Sequence, residues 1–174
     1  ESDVCIQCGA CYYACPAAEV NEKFLGPAAL AKAYRFNIDQ RDDATHQRLE
    51  TVNELGPGIW DCVKCFECAE ACPKGVDPID KITRLHTMTF EEGVADSNVA
   101  TRHAVGFKKS IAMHGLLDEG MLVAYSEGVG VLKHIPEALR MFRKGKVVPP
   151  WSMPKSEKMD EVKKLIKSSS RAKF

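Results

Sequence analysis

Apolar residues recur along this chain at the three- and four-residue spacing of helices, and no long stretch alternates between apolar and polar positions. Ile79, Ile82, Leu85 and Met88 illustrate the helical spacing. We therefore predict an all-α protein. The predicted helices cover residues 24–35, 39–54, 77–88, 97–114, 136–144 and 156–167.

Residues that favour helix ends support several of these bounds. Asp77 followed by Pro78 suits an N-cap and the first helical position. Asp96 or Ser97 is expected to cap the helix that runs to residue 114, and Gly115 to end it. These ends divide the chain into a first domain, 1–95, and a helical C-terminal extension, 96–174.

Charge is distributed unevenly between the two ends of the chain. Residues 1–131 carry 12 Lys and Arg against 20 Asp and Glu, whereas residues 132–174 carry 12 against 4. The basic end suits an acidic partner or phospholipid headgroups, although a solvated helix face and a flexible end explain it more simply. Residues 147–150 are predicted to form an extended linker between the last two helices. No aromatic residues interleave with its lysines, so we expect no nucleic-acid partner. No run of 18 apolar residues exists, so we expect no membrane span.

All the cysteines lie in the first domain, in two blocks with the spacing C-x2-C-x2-C-x3-C-P. Each cysteine of the second block lies 57 positions after its counterpart, which makes this the only internal repeat. The first block contains Cys5, Cys8, Cys11 and Cys15, followed by Pro16. The second contains Cys62, Cys65, Cys68 and Cys72, followed by Pro73.

This spacing is typical of 4Fe–4S clusters, and in two-cluster ferredoxins the fourth cysteine of each run binds the other cluster. We therefore predict two 4Fe–4S clusters in an α-helical, ferredoxin-like domain. The predicted ligands of the first cluster are Cys5, Cys8, Cys11 and Cys72. The predicted ligands of the second are Cys62, Cys65, Cys68 and Cys15. This crossing would tie the two blocks together.

Other uses of eight cysteines fit the pattern less well. Zinc sites prefer C-x2-C pairs separated by a longer spacer. Disulfides suit small secreted domains, and cysteines three apart bridge poorly. A redox dithiol needs only two cysteines.

Nothing outside the blocks predicts a catalytic site. The chain has no Ser–His–Asp order, no glycine-rich phosphate loop and no paired carboxylates, so we predict no catalytic residue. Trp60, two residues before Cys62, could shield a cluster or belong to an ordinary core. The histidines are interpreted as surface or packing residues: His46, His86, His103, His114 and His134.

Two stretches resemble the iron–sulfur subunit of succinate dehydrogenase and fumarate reductase. Residues 24–35 (FLGPAALAKAYR), with Asp39-Gln40-Arg41-Asp42 and Arg48-Leu49, resemble the family's helix between its cysteine blocks. Trp60-Asp61-Cys62 and residues 72–78 (CPKGVDP) match its second block. The resemblance covers about residues 1–90.

Three departures from the best-known members carry information. Those members lack a ligand in the middle of the second block and bind a 3Fe–4S cluster there. Here Cys65 fills that position. The resemblance therefore implies a second 4Fe–4S cluster, with 3Fe–4S as the alternative. Val63 replaces a histidine, and residues 17–20 (AAEV) replace tryptophans, so the usual quinone contacts are absent. The chain is therefore similar to the non-classical branch, in which electrons leave through a cysteine-rich subunit that resembles heterodisulfide reductase.

The resemblance implies a cytoplasmic subunit that binds no substrate and relays electrons within an oxidoreductase complex. Its implied partners are a flavoprotein for succinate and fumarate and a cysteine-rich or membrane-anchor subunit, which would hold it at a membrane. The family's N-terminal 2Fe–2S domain has no counterpart here, and the sequence leaves open whether one preceded Glu1. The alternative is the small electron-transfer subunit of a heterodisulfide reductase. A free two-cluster ferredoxin or a purely structural role for the clusters fits less well.

Overall fold

The structure, a computed structural model, describes residues 2–95, 98–146 and 152–169. The prediction of an all-α protein is confirmed, since this part of the chain contains helices and no strand. The α-helices are α1 (Ala10–Tyr13), α2 (Pro16–Val20), α3 (Gly26–Asn37), α4 (Thr45–Val52), α5 (Glu67–Glu70), α6 (Pro78–Glu91), α7 (Val99–His114), α8 (Glu119–Glu127), α9 (Ile135–Arg143) and α10 (Met159–Ser169). Three 3-10 helices cover Ser2–Val4, Ile59–Asp61 and Gly128–His134. None of the helices described is long and apolar enough to cross a membrane.

The chain forms two compact units, Glu1–Asp96 and Ser97–Phe174. In the first unit, α3 packs against both α4 and α6. The side chains at this junction are fully buried and aliphatic: Leu30, Leu49, Ile59, Ile82 and Leu85. Burial of each such side chain contributes on the order of 2 kcal/mol, so this small core positions the cysteine loops around it.

Helix α3 begins at a point fixed by local geometry. Gly26 has a φ of 82°, and a Cβ atom there would overlap the ring of Tyr12. Pro27 follows in the first turn, where its missing N–H costs no hydrogen bond. These contacts give a physical reason for the Leu-Gly-Pro sequence that opens the helix.

Helix α4 is shorter than the predicted helix 39–54, because acidic side chains turn the chain ahead of it. The carboxylate of Asp39 accepts hydrogen bonds from the backbone N–H of Arg41, at 3.1 Å, and from its guanidinium. This contact holds the pKa of Asp39 far below its usual range. The carboxylate of Asp42 accepts from the N–H of Ala44 and from Arg48, so the helix begins only at Thr45.

Helix α6 begins as predicted. Asp77 is its N-cap, and its carboxylate accepts a hydrogen bond from the N–H of Asp80 while Pro78 occupies the first position. One buried face follows, with Ile79, Ile82 and Leu85 at helical spacing.

The second unit opens with α7, whose cap differs from the predicted one. Asn98 is the N-cap, and it exchanges hydrogen bonds with Thr101 in a capping box. Asp96 and Ser97, the predicted caps, lie outside the described residues, as does the predicted linker 147–150. Gly115 ends the helix with a φ of 70°, as predicted.

Sequence reasoning missed α8 and shifted the last two helices slightly. Asp118 caps α8 by accepting from the N–H of Met121, at 3.0 Å, which is a signal that the sequence offered. The glycines at positions 120 and 128 masked its helical pattern. Helices α9 and α10 lie within one to three residues of the predicted ranges 136–144 and 156–167.

Candidate metal centres

The two cysteine blocks repeat in backbone conformation as well as in sequence. A 3-10 helix precedes each block, at Ser2–Val4 and at Ile59–Asp61, and a short helix inside each block, α1 or α5, contains its third cysteine. The residue before the second cysteine has a positive φ in both blocks, 56° at Gln7 and 55° at Lys64. The residue after the second cysteine does too, 79° at Gly9 and 69° at Phe66. Each loop therefore turns in the same way around its three cysteines.

The first loop surrounds a cavity that includes one cysteine from the other block. This cavity encloses about 420 Å³ of space, counting its open mouth. Its cysteines are Cys5, Cys8, Cys11 and Cys72. Ala28 and Ala31 of α3 form part of the wall, and Lys74 lies at the turn after Cys72.

The second loop surrounds a cavity of about 310 Å³, which likewise includes one cysteine from the other block. Its cysteines are Cys15, Cys62, Cys65 and Cys68. The rest of its wall is mostly apolar and comes from the core: Phe24, Pro27, Ile79 and Ile82, together with Val63 and Phe66 of the loop itself.

The structure thus brings together the same two sets of four cysteines that the sequence predicts as ligands. In the described residues, no three His, Cys, Asp or Glu side chains come close enough to hold a single metal ion. The thiols of each set line the wall of a larger space instead. That arrangement fits a cubane, which takes one thiolate at each of four corners.

The fourth cysteines reach the opposite cavities through different local structures. Cys15 is buried and caps α2, where its carbonyl accepts from the N–H of Glu19 at 3.2 Å. Cys72 begins a turn closed by the N–H of Gly75, and its sulfur accepts from the N–H of Val76 at 3.4 Å.

Burial favours the protonated thiols when no metal is bound. It raises the pKa of Cys11 and of Cys62, and neighbouring thiols of the same cavity add to both shifts. Burial, with Cys62 and Cys15 close by, raises the pKa of Cys68 to about 12. Metal ions bind thiolates, so loading these sites must release protons.

Trp60 does not line either cavity within the described residues; it packs beside the second loop. Its ring stacks on His86 with centroids 4.6 Å apart, and its Nε1–H donates to the side-chain oxygen of Asn53 at 2.8 Å. The Nε2–H of His86 donates to the carbonyl of Ile59, at 2.8 Å. Burial lowers the pKa of His86 to about 4, so the ring is neutral at pH 7. The sequence left open whether His86 is a surface or a packing residue, and it did not reveal this network, which joins residues far apart in the chain.

Comparison with known proteins agrees with this geometry. The family described as "4Fe-4S dicluster domain" matches residues 1–76. The fumarate reductase iron-sulfur subunit of Haemophilus influenzae is 44% identical over 81 residues, 47% of this chain and 31% of that protein. The 8-methylmenaquinol:fumarate reductase iron-sulfur subunit of Wolinella succinogenes is 30% identical over 149 residues, 83% of this chain and 45% of that protein. The succinate dehydrogenase iron-sulfur subunit of Paracoccus denitrificans is 39% identical over 88 residues, 50% and 34% respectively.

The chain spans between about a third and a half of the length of these relatives. The matches confirm the resemblance that the sequence motifs indicated. Residues 1–76 therefore match the 4Fe–4S dicluster domain family, and the chain is similar to the iron–sulfur subunits of fumarate reductase and succinate dehydrogenase.

Proposed function

We propose that this chain carries electrons through two 4Fe–4S clusters held by crossed sets of cysteines. Cys5, Cys8, Cys11 and Cys72 hold the first cluster, and Cys62, Cys65, Cys68 and Cys15 hold the second. One observation carries the proposal: each of the two cavities is lined by three cysteines of one block and the fourth of the other. The first domain, 1–95, is the cluster-binding part, and 96–174 is the extension.

Such clusters supply one-electron transfer at potentials set by their surroundings. The residues of the chain determine those surroundings. Phe24, Ile79 and Ile82 exclude water from the second cavity. The N–H of Val76 donates to the sulfur of Cys72 at the first cavity, and Lys74 is among the residues around that cavity.

In a complex, the chain would relay electrons without binding substrate. We propose a flavoprotein for succinate and fumarate as one partner and a cysteine-rich or membrane-anchor subunit as the other, which would hold the chain at a membrane. The names of the relatives support this assignment over a heterodisulfide reductase subunit. Cys65 and Val63 support the non-classical branch, whose second cluster is 4Fe–4S.

Metal analysis of the anaerobically purified chain tests the cofactor. We expect about eight iron and eight acid-labile sulfide per chain, with the broad visible absorbance of iron–sulfide charge transfer. Stoichiometric zinc without that absorbance would refute the proposal.

A pair of matched variants tests the crossing. Cys72→Ala should damage the centre whose other ligands lie in the first block, and Cys15→Ala the centre of the second block. Electron paramagnetic resonance of each reduced variant, compared with wild type, identifies the centre that remains. If Cys15→Ala instead removes the signal that Cys5→Ala removes, each block holds its own cluster and the crossed assignment is wrong. Reductive titration with a purified flavoprotein partner then separates an electron carrier from a structural cluster.

A further inference from the structure

Helix α9 in the second unit has a pronounced apolar face that its own unit leaves uncovered. Every residue from Leu132 to Lys146 is exposed. Ile135, Leu139 and Phe142 lie on one face of the helix, at spacings of four and three residues, with exposed fractions of 53%, 51% and 48%. Leu132 precedes them and is also exposed.

The charged residues around this face are almost all basic. Between 132 and 146 the chain carries five Lys and Arg and only one acidic residue, Glu137. Arg140 points to the side opposite the apolar face by its helical position, and Arg143 lies at the edge of that face. Long basic side chains at these positions can extend their charges past the apolar side chains toward an anionic layer.

We propose that α9 binds directly to an anionic lipid surface, lying in the interface with Ile135, Leu139 and Phe142 directed toward the acyl chains. A short helix with apolar residues on one face and Lys and Arg on the other is the pattern of interfacial helices. Charge complementarity selects the occupant, because the basic side chains that flank the apolar face match phosphate headgroups. This inference concerns the chain's own contact with lipid, and it stands independently of the cluster assignment.

Vesicle flotation of the cluster-loaded full chain tests the proposal. The probes are vesicles of phosphatidylcholine alone and vesicles of equal parts phosphatidylcholine and phosphatidylglycerol. We expect wild type to float with the anionic vesicles only, and added salt to weaken the binding. The double variant Leu139→Glu with Phe142→Glu should bind at least about tenfold more weakly, since it places charge on the apolar face. Arg140→Gln with Arg143→Gln should weaken binding several-fold and reduce its salt dependence.

Leu165→Glu is the matched control. Leu165 is 68% exposed on α10 of the same unit and lies beside Lys163 and Lys164, so the substitution makes one such leucine-to-glutamate change outside α9. It should leave vesicle binding within about twofold of wild type. Visible absorbance and circular dichroism equal to those of wild type show that each variant is folded, and Leu139→Ser repeats the test with a smaller change.

Three outcomes would overturn the proposal. If wild type floats with neither kind of vesicle, α9 does not bind lipid, and its apolar face would instead suit a protein partner. Undiminished binding by the Leu139→Glu, Phe142→Glu variant removes α9 from the contact. An equal loss in Leu165→Glu shows a diffuse electrostatic attraction of the whole basic end and not an interfacial helix.

Discussion

The two cysteine blocks share one backbone but have different surroundings. From the 3-10 helix to the short α-helix that follows, residues 2–13 and 59–70 match position by position. The first loop faces Ala28 and Ala31 of α3 and Lys74 of the turn after Cys72, whereas the second faces the buried side chains of Phe24 and Ile82. Equal spacing of the cysteines thus gives equal loop conformations, and the neighbours from α3, α6 and the turn after Cys72 provide the difference.

This difference predicts the order of the two potentials. Reduction adds negative charge to a centre, which an apolar wall disfavours and a nearby basic residue such as Lys74 favours. We therefore expect the centre at Cys5, Cys8, Cys11 and Cys72 to be reduced more readily than the other.

Removing both proposed clusters should have the largest effect on stability, because it removes the links between the two cysteine blocks. Each proposed cluster joins cysteines of both blocks, and metal ligation contributes on the order of 10 kcal/mol to folding, about as much as the entire stability of a small domain. We expect the unit Glu1–Asp96 to lose its helices after chelation, while Ser97–Phe174, which contains no cysteine, keeps helical content. Circular dichroism and limited proteolysis measure both. A metal-free chain with native helicity and cooperative melting would contradict the prediction.

Replacing one exposed cysteine in each block compares the two centres at matched positions. Cys65→Ala leaves one iron without its anchoring thiolate, so the second centre should convert to 3Fe–4S, with a signal in the oxidised state and a higher potential. Cys8 is the counterpart of Cys65 and is exposed like it, so Cys8→Ala should do the same to the first centre. A 3Fe–4S signal near one spin per chain in wild type never exposed to air would show instead that Cys65 is a spare thiol.

The sequence predicted structure correctly mainly where the interactions that fix it lie within a few residues of each other. Asp77 and Gly115 act within a few residues of their helix ends, and both were predicted correctly. The predicted start of α4 was wrong because the contacts of Asp39 with Arg41 compete with helix formation. The spacing of apolar residues does not reveal such contacts. The stack of Trp60 on His86 depends on how α6 packs beside the second loop. The cysteines that line each cavity are also distant in sequence, but their repeated spacing had already grouped them in the same way. Their role as cluster ligands stays a prediction.

The pH dependence of stability should depend on a residue that packs beside the second block only. The pKa of His86 is lowered from 6.5 to about 4 in the folded chain, so the unfolded state binds more protons between these values. The contribution of the neutral His86 ring to the free energy of unfolding is therefore fully present above pH 6.5. It is lost as the pH falls toward 4, and the total loss is about 3 kcal/mol at most.

His86→Phe keeps an aromatic ring beside Trp60 and removes the titrating group, so the variant should be less stable at pH 7 but show a flatter pH dependence. Denaturant unfolding under anaerobic conditions at a series of pH values measures this slope. His46→Phe, at an exposed position on α4, is the control and should keep the wild-type slope. Parallel slopes for wild type and His86→Phe would show that other groups, such as the thiols, control the acid response.

The smallest expected effect tests the shared backbone itself, at the matched positions of Gly9 and Phe66. Both have a positive φ, where a side chain costs about 1–2 kcal/mol relative to glycine. A Cβ at Gly9 would meet no atom within 4 Å, so Gly9→Ala should destabilise the chain by about 1 kcal/mol through its backbone alone.

At the other position, Phe66→Gly should be more stable than Phe66→Ala by the same amount, since both variants lose the ring and only Phe66→Ala keeps the backbone strain. Ala29→Gly, at an exposed site inside α3, should show the reverse preference: here glycine should be less stable than alanine, because it weakens a helix by about 1 kcal/mol. Shifts in the midpoint of anaerobic denaturant unfolding measure all four variants. If the preference for glycine at 66 is absent while that at 9 is present, the two loops do not share one conformation, and their likeness is limited to the spacing of the cysteines.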